Sequence, residues 1–333
     1  MKCSKLFGLK GLLGRNKQMT IAITGASGFI GSSLVEKLAD MGMPFVASTR
    51  KAISGPYFKP ETWQTVDFGH ESSLRNFCEG AECVIHLAGP DAETCSKSNS
   101  EIETFVEVTK TLFLAAVNSR VKRFIFVSTV HVYGDASDEV HFEEHHCRPT
   151  SSYGASRLRA EEALRELATF HETELVIVRL ANTFGWNRDP NSSSWRLFVN
   201  ELVKSGFETG ALLIRGNPDS SRDFVPIEVV VSALQNLAGA PISENVGGTW
   251  NIGSGASLTL SEMAELIAAS IARAKGLQPV IVIEDRNQSV PTKLRINTSK
   301  ARRAGFIGEV SVSNGVDALV AQMLKSEQAS NAL

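Results

Sequence analysis

Several features are scarce in this chain, and each scarcity removes a class of protein. Net charge is nearly absent: 34 Lys and Arg stand against 36 Asp and Glu, a formal balance of −2. That argues against a general polyanion binder, so no nucleic-acid partner is expected, although a local basic pocket stays open. Long apolar runs are missing too. None approaches the roughly 20 residues that a membrane span needs. Cysteine is sparse and odd in number: Cys3, Cys78, Cys83, Cys95 and Cys147. No two of them have Cys-x-x-Cys spacing, so a reducing, cytoplasmic setting fits better than a disulfide framework, and no metal site is expected. Internal repeats and low-complexity tracts are also lacking. Residues 1–18 are basic and partly apolar, interrupted by Lys10, with no small-residue cleavage site. They read as a disordered extension or a start called too early, since Met19 opens the first strand cleanly; a weak amphipathic membrane contact is the other reading.

What is present is an ordinary globular composition, 43% hydrophobic and 21% charged over 333 residues, enough for one large unit or a large and a small one. From residue 20 short apolar runs at 20–24, 45–48, 83–87, 124–127 and 175–180 alternate with amphipathic stretches at 30–41, 102–118 and 153–169. Continuous runs of that length suit strands buried on both faces. The β-α-β-α rhythm predicts an α/β protein with a parallel, doubly wound sheet. After about residue 183 the rhythm weakens. A polar, Ser-rich loop over 187–195 precedes strands at 211–214 and 249–252 and a helix at 260–273, for which Thr259 and Glu262 have capping-box spacing. This part reads as a smaller lobe over the sheet's carboxyl edge.

Thr24-Gly25-Ala26-Ser27-Gly28-Phe29-Ile30-Gly31 sits between the first strand and the first helix. Gly25 permits a tight turn, Gly28 lets backbone approach a pyrophosphate, and Gly31 lets the helix pack closely on the sheet. The helix N-terminus offers unpaired N–H groups and partial positive charge to phosphates. About 20 residues on, where an acid would bind the ribose of NAD, the chain reads Ser48-Thr49-Arg50-Lys51. Two cations there suit a 2′-phosphate, which favours NADP over NAD; the alternative is that Arg50 and Lys51 are solvated loop charges.

Further motifs follow in order: Asp67-Phe68, His86-Leu87-Ala88-Gly89, the segment from Phe126 to Gly134 with Thr129 and His131, Tyr153-Gly154-Ala155-Ser156-Arg157, Arg179 to Gly185, Arg222-Asp223-Phe224-Val225, and Asn251-Ile252-Gly253-Ser254-Gly255. Taken together from Met19 onward, the chain resembles the extended short-chain dehydrogenase/reductase superfamily, in its NAD-dependent epimerase/dehydratase branch of nucleotide-sugar enzymes. The resemblance implies a Rossmann-type doubly wound sheet with a smaller C-terminal substrate-binding lobe. Residues 19–182, with about 222–252 returning, would bind the dinucleotide; 183–221 and 253–333 would bind substrate. It implies that Tyr153 is the acid/base, Thr129 the hydroxyl bonded to the reacting oxygen, and Arg157 the cation beside both. Gly25, Ser27, Gly28, Phe29, Ile30, Gly31, Asp67, Phe68, Leu87, Ala88, Gly89, Tyr153 and Arg157 would line the dinucleotide. His131, Asn182, Arg222 and Arg286 would face a nucleoside-diphosphate sugar. A homodimer through helices 102–118 and 153–169 is implied as well.

Three departures from the family pattern bear on the chemistry. The family has Tyr-x-x-x-Lys, and Arg157 stands at the lysine position. A phenol ordinarily ionises near pH 10, and arginine keeps the cation that acidifies it, but a planar guanidinium is not a compact ammonium, and its reach to the ribose hydroxyls does not follow from that of the family lysine. The family's Asn-x-x-Gly-Thr-x-Asn is Phe105-Val106-Glu107-Val108-Thr109-Lys110-Thr111 here, so a polar cofactor contact is expected to be missing. The dehydratase branch carries Asp-Glu after the Thr; Val130-His131 stands there instead, which argues against removal of water. His131 is either a pocket acid or a strand-end side chain. Arg222 is either a diphosphate partner or bridged to Asp223. Trp195 either stacks on a ligand or packs in a lid or core. The favoured reading is redox chemistry at a ring carbon, C4, of a nucleotide sugar, by a 4-keto reductase or an epimerase in polysaccharide or antibiotic-sugar assembly. The alternatives are a cofactor-binding protein with little catalysis, and an NADPH-dependent reductase of a non-sugar carbonyl.

Overall fold

The computed structural model describes residues 19–49, 60–134, 136–244, 246–284 and 290–331. Its strands are β1 (Ile21–Thr24), β2 (Phe45–Thr49), β3 (Trp63–Thr65), β4 (Cys83–His86), β5 (Arg123–Thr129), β6 (Ala136–His141), β7 (Glu174–Leu180), β8 (Asn182–Phe184), β9 (Ala211–Arg215), β10 (Ser221–Pro226), β11 (Gly248–Ile252), β12 (Ser257–Thr259), β13 (Val280–Glu284) and β14 (Lys293–Ile296). The helices are α1 (Phe29–Asp40), α2 (Glu71–Cys78), α3 (Ala92–Lys97), α4 (Asn99–Asn118), α5 (Ser152–Ala168), α6 (Phe198–Thr209), α7 (Ile227–Gly239), α8 (Leu260–Lys275), α9 (Ser299–Arg303) and α10 (Val312–Asn331).

Seven strands form the sheet, in the order β11-β7-β5-β4-β1-β2-β3, and every pairing is parallel. This is the doubly wound architecture that the alternating pattern predicts. Successive residues of each strand serve opposite faces. Ile21, Ile23, Ile85, Val127 and Val178 pack with Leu34 and Leu38 of α1 and Val230 and Leu234 of α7. Ala22, Val84, Phe124, Phe126 and Ile177 pack with Leu74 of α2, Phe113 of α4 and Leu164 of α5. A third core joins Val199 and Leu202 of α6 to Met263 and Ile267 of α8 and Val316 of α10. No helix among the described residues is long and apolar enough to cross a membrane.

Local chemistry explains where elements start and stop. α4 begins three residues before the apolar periodicity because the Ser98 hydroxyl accepts from Glu101 N. The Thr259–Glu262 capping box is present in both directions, and Gly276 ends α8 in the left-handed region. β10 carries Arg222 and Asp223 in mid-strand, a polarity that hides it from any apolar-run reading.

One buried cation ties three elements together. Arg123, at the start of β5, is 1% exposed. Its Nε donates to Glu174 Oε2 at 2.5 Å, and its Nη1 donates to the carbonyls of Leu237, Ala238 and Ala240 where α7 ends. Those carbonyls have no intrahelical partners, so the guanidinium is the cap of α7. Arg123→Met is expected to cost about 3–5 kcal/mol, because it removes the guanidinium that pairs the largely buried Glu174 carboxylate and caps α7. Adding Glu174→Gln is expected to restore part of the loss; denaturant unfolding of both variants checks it.

Candidate active site

The glycine-rich turn is held against β4 with no space to spare. Gly25 has φ +66°, and a Cβ there would lie 2.7 Å from Ala88 N. A Cβ on Gly31 would lie 2.2 Å from the Gly25 carbonyl oxygen. Gly28 is the N-cap of α1, and no side chain caps that end. The first-turn amides at Phe29, Ile30 and Gly31 are therefore left for a ligand, with Ser27 and Gly28 exposed beside them.

Beneath the turn lies a buried chain of neutral hydrogen bonds. The Ala88 amide donates to Thr24 Oγ1 at 3.3 Å, and the same hydroxyl is hydrogen-bonded to His86 Nδ1, 2.6 Å away. Thr109 donates its hydroxyl to the Phe105 carbonyl at 2.8 Å and therefore accepts from His86 Nε2 at 3.1 Å. With the ring neutral and Nε2 donating to Thr109, Nδ1 is left to accept from the Thr24 hydroxyl, the Nε2–H tautomer. Burial pushes the His86 pKa down to about 3, with the nearby charge of Arg157 adding to the effect.

Arg157, one turn into α5, lies over this chain. It is 5% exposed, with its Cζ 4.5 Å from the Phe105 ring centre and 5.2 Å from that of Tyr153. Its Nη2 donates to the Pro90 carbonyl at 3.2 Å, while Nε and Nη1 are buried without hydrogen-bond partners. A side chain at Gly89 would collide with it: a Cβ would sit 2.7 Å from Nη2 and from Phe105. The guanidinium thus lies over the Phe105 ring and ends at Gly89 and Pro90.

Tyr153 is half-buried in the first turn of α5, whose N-cap is Ser151. Gly154 lets α5 approach the end of β5, since a Cβ there would meet the His131 carbonyl at 2.6 Å. The His131 and Tyr153 rings stand edge to face, 6.5 Å apart. Thr129 is buried at the end of β5, and its hydroxyl accepts from His131 N. The height of α5 is set by Glu161, fully buried on its inner face. Glu161 accepts from Ser128 Oγ at 2.5 Å and from Arg179 Nη2 at 2.6 Å, joining α5 to β5 and β7.

His131, Asn182 and Arg222 converge on one cavity of about 340 Å³, which Arg196, Arg215, Glu201, Phe198 and Phe224 also line. The sequence reading missed Arg196 and Arg215. Arg196 follows Trp195 in the Ser-rich loop and Arg215 ends β9, and neither belongs to a motif. Arg196 lies 3.2 Å from Glu93, and Arg215 pairs with Glu201. Asn182 also donates to the Asp223 carbonyl. The Asp223 carboxylate accepts from Ser254 N, Ser254 Oγ and Gly255 N, so it serves the 253–255 loop. Trp195 packs edge to face against Trp186 and donates to the Asp189 carbonyl, the packing role of the two considered. Asp67 accepts from Gly69 N and pairs with His70, which holds its carboxyl below the usual range; Phe68 beside it is half-buried. Arg50, Lys51 and Arg286 lie outside the described residues.

Known proteins resemble this chain over most of its length. The model of the NAD dependent epimerase/dehydratase family matches residues 21–253. The low-salt glycan biosynthesis protein Agl12 of Haloferax volcanii is 24% identical, over 93% of this chain and 100% of that protein. The uncharacterized UDP-glucose epimerase YtcB of Bacillus subtilis is 26% identical, over 86% of this chain and 91% of its own length. The solved structure of MoeE5 in complex with UDP-glucuronic acid and NAD superposes with a TM-score of 0.78 at 24% identity, covering 92% of this chain and 99% of that one.

The neutral His86 has a consequence for acid stability. Below its ordinary pKa of 6.5 the unfolded chain takes up a proton that the folded ring refuses until about pH 3. Stability is therefore lost as pH falls through that window, by up to about 5 kcal/mol from this group. His86→Gln is expected to be less stable at neutral pH but to decline less between pH 6.5 and 3. An NMR titration showing the ring protonated above pH 5 would overturn the assignment.

Proposed function

The chain belongs to the NAD dependent epimerase/dehydratase family, and on that premise we propose that it oxidises or reduces a ring carbon, C4, of a nucleoside-diphosphate sugar with a nicotinamide dinucleotide. The observation that carries this reading is the adjacency of two sites: the Thr129, Tyr153 and Arg157 cluster beside the glycine turn, and the arginine-lined cavity that begins at His131. The uncapped start of α1 and the methyl-free approach of Gly25, Gly28 and Gly31 fit a pyrophosphate. The two orphaned donors of Arg157, beside Gly89, suit the hydroxyls of a ribose.

A bound nicotinamide supplies hydride exchange with the sugar carbon. The residues of the chain manage protons and charge. Tyr153 takes the proton of the C4 hydroxyl during oxidation and returns it during reduction, and Thr129 donates a hydrogen bond to the same oxygen. Arg157, whose Cζ lies 5.2 Å from the Tyr153 ring centre, brings a positive charge to the neighbourhood of that proton exchange. Arg222, Arg196 and Arg215 neutralise a diphosphate, the anion that a planar guanidinium fits best. Val130-His131 in place of an Asp-Glu pair supports redox without loss of water. The basic Arg50-Lys51 pair and Thr49, where an acid would bind the ribose of NAD, favour NADPH and a 4-keto reductase over an epimerase that recycles NAD. A binding protein with little turnover is the second reading, and the stacking of Arg157 on Phe105 is what favours it.

Tyr153→Phe is expected to lower kcat by about 10²–10⁴-fold while still binding the dinucleotide, measured by NADPH fluorescence. A wild type that binds NADPH but turns over no UDP- or dTDP-sugar in a panel would shift the assignment to the binding protein. Uridine or thymidine diphosphate is expected to raise the melting temperature by several degrees, as binding to the native state must. Arg196→Ala and Arg222→Ala are each expected to weaken that protection. No protection by either nucleotide would point to a non-sugar carbonyl.

A further inference from the structure

Between the end of β5 and the start of α5 the chain makes an excursion that the redox reading does not use. β6 runs parallel to β14, with His141 opposite Ile296, and the His141 carbonyl accepts from Asn297 N and Asn251 Nδ2. The chain then turns sharply, the His145 amide donating to the Phe142 carbonyl at 3.1 Å. That turn brings His145 back beside His141, four residues earlier; the two rings stand at 84°, 6.0 Å apart. Glu139 precedes His141 by two residues in β6 and so shares its face of the strand. Its Oε1 lies 3.6 Å from His145 Nδ1.

We propose that Glu139, His141 and His145 form a binding site for a divalent transition-metal ion, of which zinc is the best chemical match. One ligand atom from each of the three lies within 4.8 Å of the others, the one such group among the described residues. Two imidazole nitrogens and one carboxylate, with a fourth position for water, is a recurrent zinc donor set, whereas calcium and magnesium prefer all-oxygen shells. Zinc with bonds of about 2.1 Å holds tetrahedral ligands about 3.4 Å apart, so the group must contract modestly. The side chains that would move are the less buried ones: those of Glu139 and His145 are 64% and 29% exposed. The fixed partner is His141, 5% exposed and stacked on the Tyr133 ring at 4.8 Å and 6°, with Tyr133 itself anchored through its hydroxyl to Asn251.

His145 supplies an independent pointer. Its Nδ1 is buried without a hydrogen-bond partner, and the Glu139 oxygen at 3.6 Å is beyond bonding distance. A buried ring nitrogen left in that state calls for an ion or water to satisfy it. The site shares no residue with the glycine turn or with the arginine-lined cavity. An ion there would staple β6 to the turn that leads into α5, and so to the segment that carries Tyr153.

The test uses the full chain, stripped with a chelator and titrated with cobalt(II) and then zinc. One equivalent of cobalt is expected to bind in the micromolar range or tighter, to give visible absorption bands of a four-coordinate ion, and to be displaced by zinc. Glu139→Gln combined with His145→Gln changes only the less buried ligands, so the fold is retained, as circular dichroism will show. That double variant is expected to bind at least about tenfold more weakly, and His171→Ala, remote from the group, to bind as wild type does. A stoichiometric site absent from wild type, or a double variant weakened by less than that factor, overturns the proposal.

Discussion

The closeness of the Gly25 turn to the end of β4 is the constraint on which the candidate site depends. With a would-be Cβ of Gly25 at 2.7 Å from Ala88 N and that of Gly31 at 2.2 Å from the Gly25 carbonyl, only hydrogen fits at either position. That contact fixes where α1 begins and which way its uncapped amides point. It is reinforced from below by the Thr24–His86–Thr109 relay, which locks β1, β4 and α4 into one register without any formal charge. A neutral relay suits a place where an unsatisfied charge has no solvent to turn to.

The opposite wall of the groove is built by the contrary strategy. Glu161 is fully buried, and its carboxylate is matched by donors: Arg179 binds it through Nε and Nη2, and Ser128 adds a third. Arg179 also lies 4.8 Å from the Tyr133 ring centre, and Tyr133 continues to Asn251. A buried pair of this kind stabilises the fold weakly, but breaking it is costly, so it specifies one position of α5. Tyr153, at the first turn of that helix, inherits the position.

Much of this was legible in the sequence, and the part that was not has physical reasons. The strand runs at 20–24, 83–87 and 175–180 and the helix at 153–169 declare themselves by period and apolarity, because the sheet is buried on both faces. The glycine turn is legible because no other residue type fits its geometry. The Arg222-Asp223 motif in β10 is legible as a motif but not as a strand, because its polarity breaks the apolar run; the Asp223 carboxylate is satisfied by the distant Ser254 and Gly255. Arg196 and Arg215 were invisible for a different reason. They reach the cavity from a loop and a strand end far apart in the chain, and nothing local distinguishes them from surface arginines. The Glu139, His141 and His145 group was equally hidden, since it takes shape through the turn at Phe142–His145.

Two departures from the family pattern that look independent in the sequence are one change in the structure. Phe105 stands where a polar residue is usual and Arg157 where a lysine is usual, and the two are in face contact. A lysine over Phe105 would present a compact, strongly hydrated ammonium to an apolar ring; a guanidinium is flat, weakly hydrated and stacks. Conversely, an arginine without Phe105 would keep only the Tyr153 ring, whose centre is 5.2 Å from its Cζ, to lie against. The pair also acts downward. His86 lies 6.3 Å from the Phe105 ring and within the field of Arg157, which disfavours a second cation and helps hold the relay neutral. Substituting either member alone therefore disturbs the seat of the glycine turn as well as the surroundings of Tyr153, and the lysine form of the site becomes a sensible arrangement only when residue 105 changes with it.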